Sequence, residues 1–184
     1  MDTLMTDNAQ TIKSKPLVPK LLTQKAFSAF GDVIEASSNA NNFAINDGFT
    51  QRYHDLAKVD VKDKQGHAII SIFRSTPLAL PIAIKMMERH PHGSQAFIPM
   101  GENPYLVVVA PAGEFEINKI EVFIASSSQG VNYHKGTWHH FCLALDSMSD
   151  FLVVDRGGAG DNCDVLELDG SLHIAETNNT STPS

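Results

Sequence analysis

Short apolar runs separated by turn-forming residues dominate the middle of the chain. Each run is about four to seven residues long and is bounded by Gly, Pro, Asn, Asp or Ser, which is typical of β-strands. The runs cover 68–73, 82–86, 105–109, 121–124, 141–145 and 151–154. Because helical patterns are nearly absent, the pattern predicts an all-β fold, a closed barrel or jelly roll, and argues against a doubly wound α/β fold.

One short helix is predicted near the start of this region. Thr23 can cap its N-terminus, and Gly31 can end it after Phe30. Phe27 and Phe30 are three positions apart, so they would share the buried face of the helix.

The two ends of the chain are polar and offer little to bury. Residues 1–15 are predicted to form a flexible N-terminus, and residues 176–184 are predicted to be a disordered tail. We therefore expect one domain over residues 16–175, a length that suits a single hydrophobic core.

Charge and cysteine content narrow the class of protein. The net charge is −7 with no basic block, which argues against nucleic acid and anionic membranes as partners. Two cysteines, Cys142 and Cys163, do not make a disulfide framework in a domain of this size. Neither a secretory signal nor an apolar span is evident, so a soluble cytoplasmic protein is expected.

A first group of candidate ligands lies at 88–101. His90 and His92 are two apart, so on a strand they would face the same side, and Gln95 follows three positions later. The spacing resembles the first cupin motif, His-x-His-x(3–4)-Glu-x(6)-Gly. Gln95 replaces the usual carboxylate, and Gly101 comes one position early.

A second group lies at 130–140, which holds three histidines and the only tryptophan. The segment from Gly136 to His139 resembles the Gly-x-x-His core of the second cupin motif, without its proline. In a cupin the two motifs meet inside the barrel and bind one metal. That resemblance implies a ligand set of His90, His92, Gln95 and His139, which suits Zn, Ni, Fe or Mn better than Ca or Mg.

Plainer interpretations apply to several of these residues. A single histidine is more often a surface or core residue than a ligand, and His67 and His173 are expected at the surface. His140 would point away from His139 on a strand and is expected to be structural. His54 is either oriented by neighbouring polar groups or part of a solvated strand.

A third polar group, 155–164, is rich in glycine and follows an apolar run. It lacks the Lys and Ser/Thr of a phosphate-binding loop, so it is interpreted as a turn at the rim of the barrel. Arg156 could bind a substrate carboxylate, or it could form a structural pair with an aspartate. Cys163 has no evident histidine neighbour in the sequence and is expected to be a buried or unreactive thiol rather than a nucleophile.

Taken together, seven segments closely resemble the ureidoglycolate lyase family of allantoin degradation, formerly called ureidoglycolate hydrolase. They are 26–35, 52–57, 88–91, 95–100, 129–134, 138–140 and 155–158. The resemblance implies a cupin-like β-barrel that is usually a homodimer. It also implies cleavage of (S)-ureidoglycolate to glyoxylate and urea, with a divalent metal often given as nickel.

The resemblance also ranks the site residues. Members of the family often carry another residue where His92 stands, which favours the remaining candidates. The predicted catalytic residues are His134, His139 and His90, of which His134 or His139 would take the hydroxyl proton. The predicted substrate-binding residues are Arg89, Arg74, Arg156, Gln95, Tyr133 and Trp138.

Two other functions stay open on the sequence alone. One is a metal-binding cupin that acts on another small hydroxy or keto acid, although Gln95 in place of the carboxylate counts against a complete ligand set. The other is a non-enzymatic barrel that binds a small molecule as a sensor.

Overall fold

The described part of the protein is residues 16–175 of a computed structural model, and the predicted flexible N-terminus and disordered tail lie outside it. One α-helix, α1, spans Gln24–Phe27. Sixteen short strands make up most of the remaining regular structure in this range. They are β1 Lys20–Leu21, β2 Gly31–Glu35, β3 Asn42–Ile45, β4 Thr50–Tyr53, β5 His67–Ser75, β6 Ile82–Ala83, β7 Met86–Arg89, β8 Gln95–Pro99, β9 Tyr105–Ala110, β10 Glu121–Ala125, β11 Gln129–Tyr133, β12 Trp138–His139, β13 Leu143–Ala144, β14 Ser149–Gly157, β15 Asp164–Glu167 and β16 His173–Ile174.

These strands form two large sheets and two small pairs. The larger sheet has seven strands in the order β1-β10-β9-β12-β7-β15, with β13 also paired to β9. The smaller sheet has five strands in the order β2-β11-β8-β14-β5. Strands β3 and β4 form one pair, and β6 and β16 form the other. Within residues 16–175 the hydrogen-bonded ladders stay in separate sheets and do not close into one barrel.

The two large sheets pack face to face around an apolar core. The ring centroid of Tyr105 on the larger sheet lies 5.1 Å from that of Phe151 on the smaller one. The core between the sheets contains Phe27, Phe30, Val33, Phe97, Tyr105, Val107, Val109, Phe123, Val131, Tyr133, Phe151 and Val153. The predicted all-β, cupin-like fold is therefore confirmed, in the form of two facing sheets.

The opposite face of the larger sheet is also buried, against a second core. This core joins Leu106, Val108, Val122 and Trp138 to Ile82, Ile84 and Ile174 from the segments that cover the sheet. All six residues of β9 are buried, because a strand covered on both faces needs apolar residues at every position. Side chains of consecutive residues on the larger sheet therefore pack alternately into the core between the sheets and into the second core.

The predicted helix is confirmed, but it is shorter than expected. Thr23 caps it, and its Oγ1 accepts a hydrogen bond from the amide of Ala26 at 3.2 Å. Phe27 and Phe30 are both buried, with ring centroids 5.8 Å apart, as predicted. Gly31, however, does not end the helix. It begins β2, where a Cβ would collide with the carbonyl group of Asn132 on the neighbouring strand.

All six apolar runs contain strand residues, and they account for seven of the sixteen strands of the described chain. The runs at 68–73, 105–109, 121–124 and 151–154 lie in β5, β9, β10 and β14, and the run at 82–86 divides between β6 and β7. The strand predicted over 141–145 is reduced to the two residues of β13. No helix within residues 16–175 is long and apolar enough to cross a membrane.

Strand β5 is apolar but exposed, because it lies at the edge of the smaller sheet. Ile70 is 72% exposed and Ile72 is 60% exposed. They occupy alternate positions and therefore share one face of the strand, the face that points away from Phe151 and Val153 in the core.

Candidate active site

Three ionisable side chains meet where β7 and β12 pair. Glu88 lies directly opposite His139 in this antiparallel pair, so both side chains point to the same face of the sheet. His90 follows the end of β7, and its ring centroid lies 5.1 Å from that of His139. One donor atom from each residue lies within 4.8 Å of the other two. We call this group the Glu88–His90–His139 cluster.

His139 is held in one orientation inside the protein. Its side chain is 1% exposed. Its ring stacks on Tyr133, with centroids 4.3 Å apart and planes within 4°. Nδ1 lies 3.2 Å from the carbonyl oxygen of His140, so Nδ1 carries the proton and donates it. The other nitrogen, Nε2, is buried and has no hydrogen-bond partner among residues 16–175.

Burial fixes the charge state of His139. It lowers the pKa of His139 to about 3, and the neighbouring His90 acts in the same direction. The imidazole is therefore neutral near pH 7, with a free lone pair on Nε2. A lone pair of this kind binds a cation well but takes up a proton only weakly.

Glu88 is the only carboxylate of the cluster. Burial raises its pKa, while His90 and a hydrogen bond from Cys163 act in the opposite direction. Glu88 Oε1 lies 3.6 Å from His139 Nδ1, and Oε2 lies 3.9 Å from the Cys163 thiol. Because Cys163 is exposed, the Oε2 side of Glu88 is the side that opens toward solvent.

Cys163 is exposed, so the prediction that it is buried is wrong, and its thiol contacts Glu88. Burial and the nearby Glu88 raise the pKa of Cys163, so it keeps its proton and donates it to the carboxylate. Cys142 packs against the core between the sheets, and burial raises its pKa to about 12. Both thiols are free.

A chain of hydrogen bonds leads from His90 into the space between the sheets. His90 Nδ1 lies 2.6 Å from the carbonyl oxygen of Asn162, and Nε2 lies 3.2 Å from Gln95 Oε1. Gln95 Nε2 in turn donates to Asp155 Oδ2 at 3.4 Å. Gln95, predicted from the first cupin-like motif, thus lies beside the cluster, and Asp155 extends the polar group.

His92 does not belong to the cluster. Strand β7 ends at Arg89, and Pro91 and His92 form a turn, so the prediction that His90 and His92 share one face of a strand is wrong. The amide of His92 donates to Asn162 Oδ1 at 2.7 Å, which holds the turn against the 155–164 segment. Among the described residues Glu88, and not His92, completes the group with His90 and His139.

Trp138 and Arg89 lie on the face of the larger sheet opposite the cluster. Trp138 precedes His139 on β12, and Arg89 follows Glu88 on β7. Because side chains alternate along a strand, both point away from the cluster. The guanidinium of Arg89 lies 4.5 Å above the Trp138 ring and donates to Asp164 at 2.8 Å. Trp138 Nε1 donates to the carbonyl of Gly113 at 3.1 Å within the second core.

The other two predicted arginines are also bonded to protein groups. Arg74 forms a two-point salt bridge with Asp150, with distances of 2.7 and 2.8 Å, and is exposed. Arg156 is buried and donates to the carbonyl oxygens of Asp63 at 3.0 Å and Ala159 at 3.1 Å. Arg156 thus ties two loops together, and it does not form the aspartate pair that was its alternative prediction.

His134 lies in a separate cleft at the surface. Tyr133 points into the core, so the next residue points outward. His134 Nε2 lies 3.1 Å from Asp32 Oδ1, and Asp32 Oδ2 accepts from Asn132 Nδ2 at 3.0 Å. The cleft has a volume of about 290 Å³ and is also lined by Gln24 and Ser28. The structure therefore does not bring His134 to the cluster.

The cluster has the chemistry of a divalent metal site. Glu88, His90 and His139 offer one carboxylate and two imidazoles, a donor set that suits transition metals. Nδ1 of His139 lies near a backbone carbonyl, the arrangement that usually orients a histidine ligand and leaves Nε2 for the metal, whereas Nε2 of His90 contacts Gln95 Oε1 and would have to exchange that contact for a metal. The buried, unpartnered Nε2 of His139 is the atom that most needs such a partner.

Sequence reasoning missed Glu88 and Asp155. Glu88 is two positions before His90, the same spacing that drew attention to His92, so the signal was present. Asp155 is followed by glycines in a segment interpreted as a turn. Its inward orientation depends on the register of β14, which the apolar run did not fix.

A cupin-like pair of facing sheets with a carboxylate–imidazole cluster between them defines a β-sandwich protein of the kind that acts on small molecules. The chain belongs to the ureidoglycolate lyase family, whose model matches residues 14–175. The resemblance inferred from the sequence segments is thereby confirmed.

Individual relatives agree with this assignment. A Burkholderia cepacia protein named ureidoglycolate lyase is 55% identical over 149 residues, which cover 80% of this chain and 84% of the relative. A Pseudomonas aeruginosa protein of the same name is 50% identical over 156 residues, covering 84% and 89%. One from Pseudomonas entomophila is 49% identical over 151 residues, covering 82% and 90%.

Proposed function

We propose that this protein cleaves (S)-ureidoglycolate to glyoxylate and urea in the degradation of allantoin. Family membership and the names of the relatives supply the reaction. The observation that carries the proposal is the Glu88–His90–His139 cluster, a group of proton-transfer and ligand residues of which His139 is buried and the other two are half-buried.

The reaction is an elimination at one carbon, which bears a hydroxyl, a carboxylate and a urea nitrogen. The hydroxyl proton must leave as the C–O bond becomes the carbonyl of glyoxylate. The C–N bond breaks with its electrons going to nitrogen, which needs a proton to depart as urea. One residue that moves a proton from the oxygen to the nitrogen satisfies both requirements.

Glu88 is suited to this transfer, and His139 is not. A base works best when its pKa lies near the working pH, and a pKa of about 3 makes His139 a weak base. Burial shifts the pKa of Glu88 in the useful direction, upward. We assign Glu88 Oε2, on the side that opens toward Cys163, as the atom that receives the hydroxyl proton and passes it to the urea nitrogen.

Glu88, His90 and His139 would hold a divalent cation, and nickel is the identity implied by the family. When bound, such a cation neutralises the substrate carboxylate and makes the hydroxyl more acidic. Gln95 lies beside His90, with its Oε1 3.2 Å from Nε2 of that ring, and lines the same space. Tyr133 holds the His139 ring by stacking.

The other predicted roles stay predictions. Arg74, Arg89 and Arg156 already bind protein groups, so each would have to exchange those bonds to hold the substrate carboxylate. His134 faces Asp32 in its own cleft and would need a substrate bound there.

The test is incubation of the purified protein with (S)-ureidoglycolate, with glyoxylate and urea measured together. We expect equal amounts of both products and loss of activity when a chelator removes a bound divalent metal. Turnover of another hydroxy acid without turnover of ureidoglycolate would favour the alternative enzyme. Binding without turnover would favour the sensor. Full activity in chelated, metal-free protein would contradict the role of the cation.

We also propose that the protein is a cytoplasmic homodimer that associates through β5. An edge strand with exposed apolar residues favours pairing with another chain, and a two-fold axis presents the same strand on both copies. Ile70 and Ile72 supply the apolar contact.

A further inference from the structure

Asp155 is half-buried and its Oδ1 is fully buried, although the residue begins the glycine-rich segment. It alternates on β14 with Phe151 and Val153, which are both fully buried in the core between the sheets. Its side chain therefore points into the same space. Gln95 occupies the corresponding inward face of the neighbouring strand β8.

One carboxylate oxygen of Asp155 is satisfied and the other is not. Oδ2 accepts a hydrogen bond from Gln95 Nε2 at 3.4 Å. Oδ1 is buried and has no hydrogen-bond partner among residues 16–175. The neighbouring Arg156 does not donate to this oxygen, because its side chain points to the opposite face of the sheet and donates to carbonyl groups. A buried oxygen without a donor is costly and calls for a ligand or a water.

This oxygen belongs to the same polar group as the cluster. Side-chain contacts connect Asp155 to Gln95 and Gln95 to His90, and the His90 ring lies against that of His139. His139 Nε2 is also buried without a partner in the described chain. The two unsatisfied atoms thus belong to residues at the two ends of one connected polar group. Asp155 Oδ1 requires a hydrogen-bond donor, and His139 Nε2 requires a cation or a proton.

We propose that Asp155 binds the ureido group of the substrate, with Oδ1 accepting a hydrogen bond from its N–H groups. The inference rests on the proposed function and names the residue that selects the ureido substrate. The ureido group has three N–H bonds, and a hydrogen bond from a neutral N–H group is strengthened when the acceptor is a carboxylate. The negative charge of Asp155 repels the substrate carboxylate, which therefore lies toward the cluster, and this fixes which end of the molecule enters first.

The test compares two unreactive ligands that each lack one part of the substrate. N-carbamoylglycine keeps the ureido group and the carboxylate, whereas glycolate keeps the hydroxyl and the carboxylate. Their dissociation constants are measured by calorimetry on the full-length protein, its Asp155→Ala variant and the control Asp161→Asn, which changes an exposed aspartate. All three proteins are first compared by thermal unfolding.

We expect Asp155→Ala to raise the dissociation constant of N-carbamoylglycine roughly tenfold or more, because a hydrogen bond to a charged group is lost. The dissociation constant of glycolate should change by less than about twofold. Asp161→Asn should change neither. If Asp155→Ala does not fold, Asp155→Asn provides the same comparison. The difference between the two ligands in the change of dissociation constant should then be smaller, because the amide keeps one acceptor oxygen. Equal weakening of both ligands, or of neither, overturns the proposal.

The outcome is separable from that of the proposed function. A protein that forms no glyoxylate but binds N-carbamoylglycine through Asp155 contradicts the lyase activity and supports the ureido site. A wild-type protein that turns over ureidoglycolate but shows no Asp155-dependent preference for N-carbamoylglycine supports the lyase activity and overturns the ureido site.

Discussion

His139 stacks on Tyr133 with the two rings almost parallel, 4.3 Å apart at their centroids. The two residues come from different sheets, since Tyr133 ends β11 of the smaller sheet and His139 ends β12 of the larger one. The stack therefore joins the sheets at the candidate active site. It also covers one side of the imidazole, so that the ring depends on packing for its orientation.

Replacement of Tyr133 with leucine should affect both stability and activity. The change removes a buried ring, and we expect a loss of roughly 1–3 kcal/mol in the free energy of unfolding. The rate of glyoxylate formation should also fall, because the His139 ring loses one wall. Denaturant unfolding and initial rates measure the two effects. Tyr53→Leu, on the exposed β4 strand, is the control, and an equal loss in both variants would contradict the role of the stack.

The buried His139 should make the metal-free protein sensitive to acid. The folded protein keeps this imidazole neutral down to a pKa of about 3, whereas the unfolded chain takes up the proton near the ordinary value of 6.5. Stability from this group is therefore present above pH 6.5 and is lost as the pH falls toward 3. The loss is about 1.4 kcal/mol per pH unit within that window.

Unfolding of chelator-treated protein at several pH values tests this prediction. His139→Gln should flatten the dependence between pH 6.5 and 3, whereas His67→Gln, which changes an exposed histidine, should not. Identical slopes in all three proteins would show that His139 is not the group responsible.

Glu88→Gln separates catalysis from stability. The amide cannot accept the hydroxyl proton, so we expect kcat to fall by a factor on the order of 100 or more. Burial already disfavours the charged carboxylate, so at pH 7 the neutral amide should leave the melting temperature unchanged or raise it. Glu102→Gln, at an exposed position, should change neither. A variant that is unstable but fully active would contradict the assignment.

Sequence periodicity predicted β9 and β14, because their apolar runs reflect burial directly. No predicted run covers β2, β8 or β11, whose buried positions include Gly, Gln and Asn. Periodicity also missed β12, whose two residues face different cores and show no pattern over so short a length. For the same reason, Trp138 and His139 could not be separated into different environments. The sequence motifs selected His139 as a candidate, but only the register of β7 against β12 shows that Glu88 is its neighbour.

Disruption of β5 should yield a monomer. The double change Ile70→Lys and Ile72→Lys places two charges on the exposed face of the edge strand, where they oppose close contact with a second copy. We expect light scattering after gel filtration to show the mass of a dimer for the wild type and of a monomer for the variant. Val165→Lys, on the exposed face of β15, should stay dimeric. A wild-type monomer would contradict the proposed association.

The two histidine sites provide the most direct test of the central claim, that the Glu88–His90–His139 cluster is the reaction centre. The measurement is the initial rate of glyoxylate formation from (S)-ureidoglycolate by His139→Gln, His134→Gln and His67→Gln, each with confirmed folding. The account predicts that His139→Gln lowers the rate by a factor on the order of 100 or more, while His67→Gln matches the wild type. Full activity in His139→Gln, with the loss appearing in His134→Gln instead, would contradict it and place the reaction in the cleft beside Asp32.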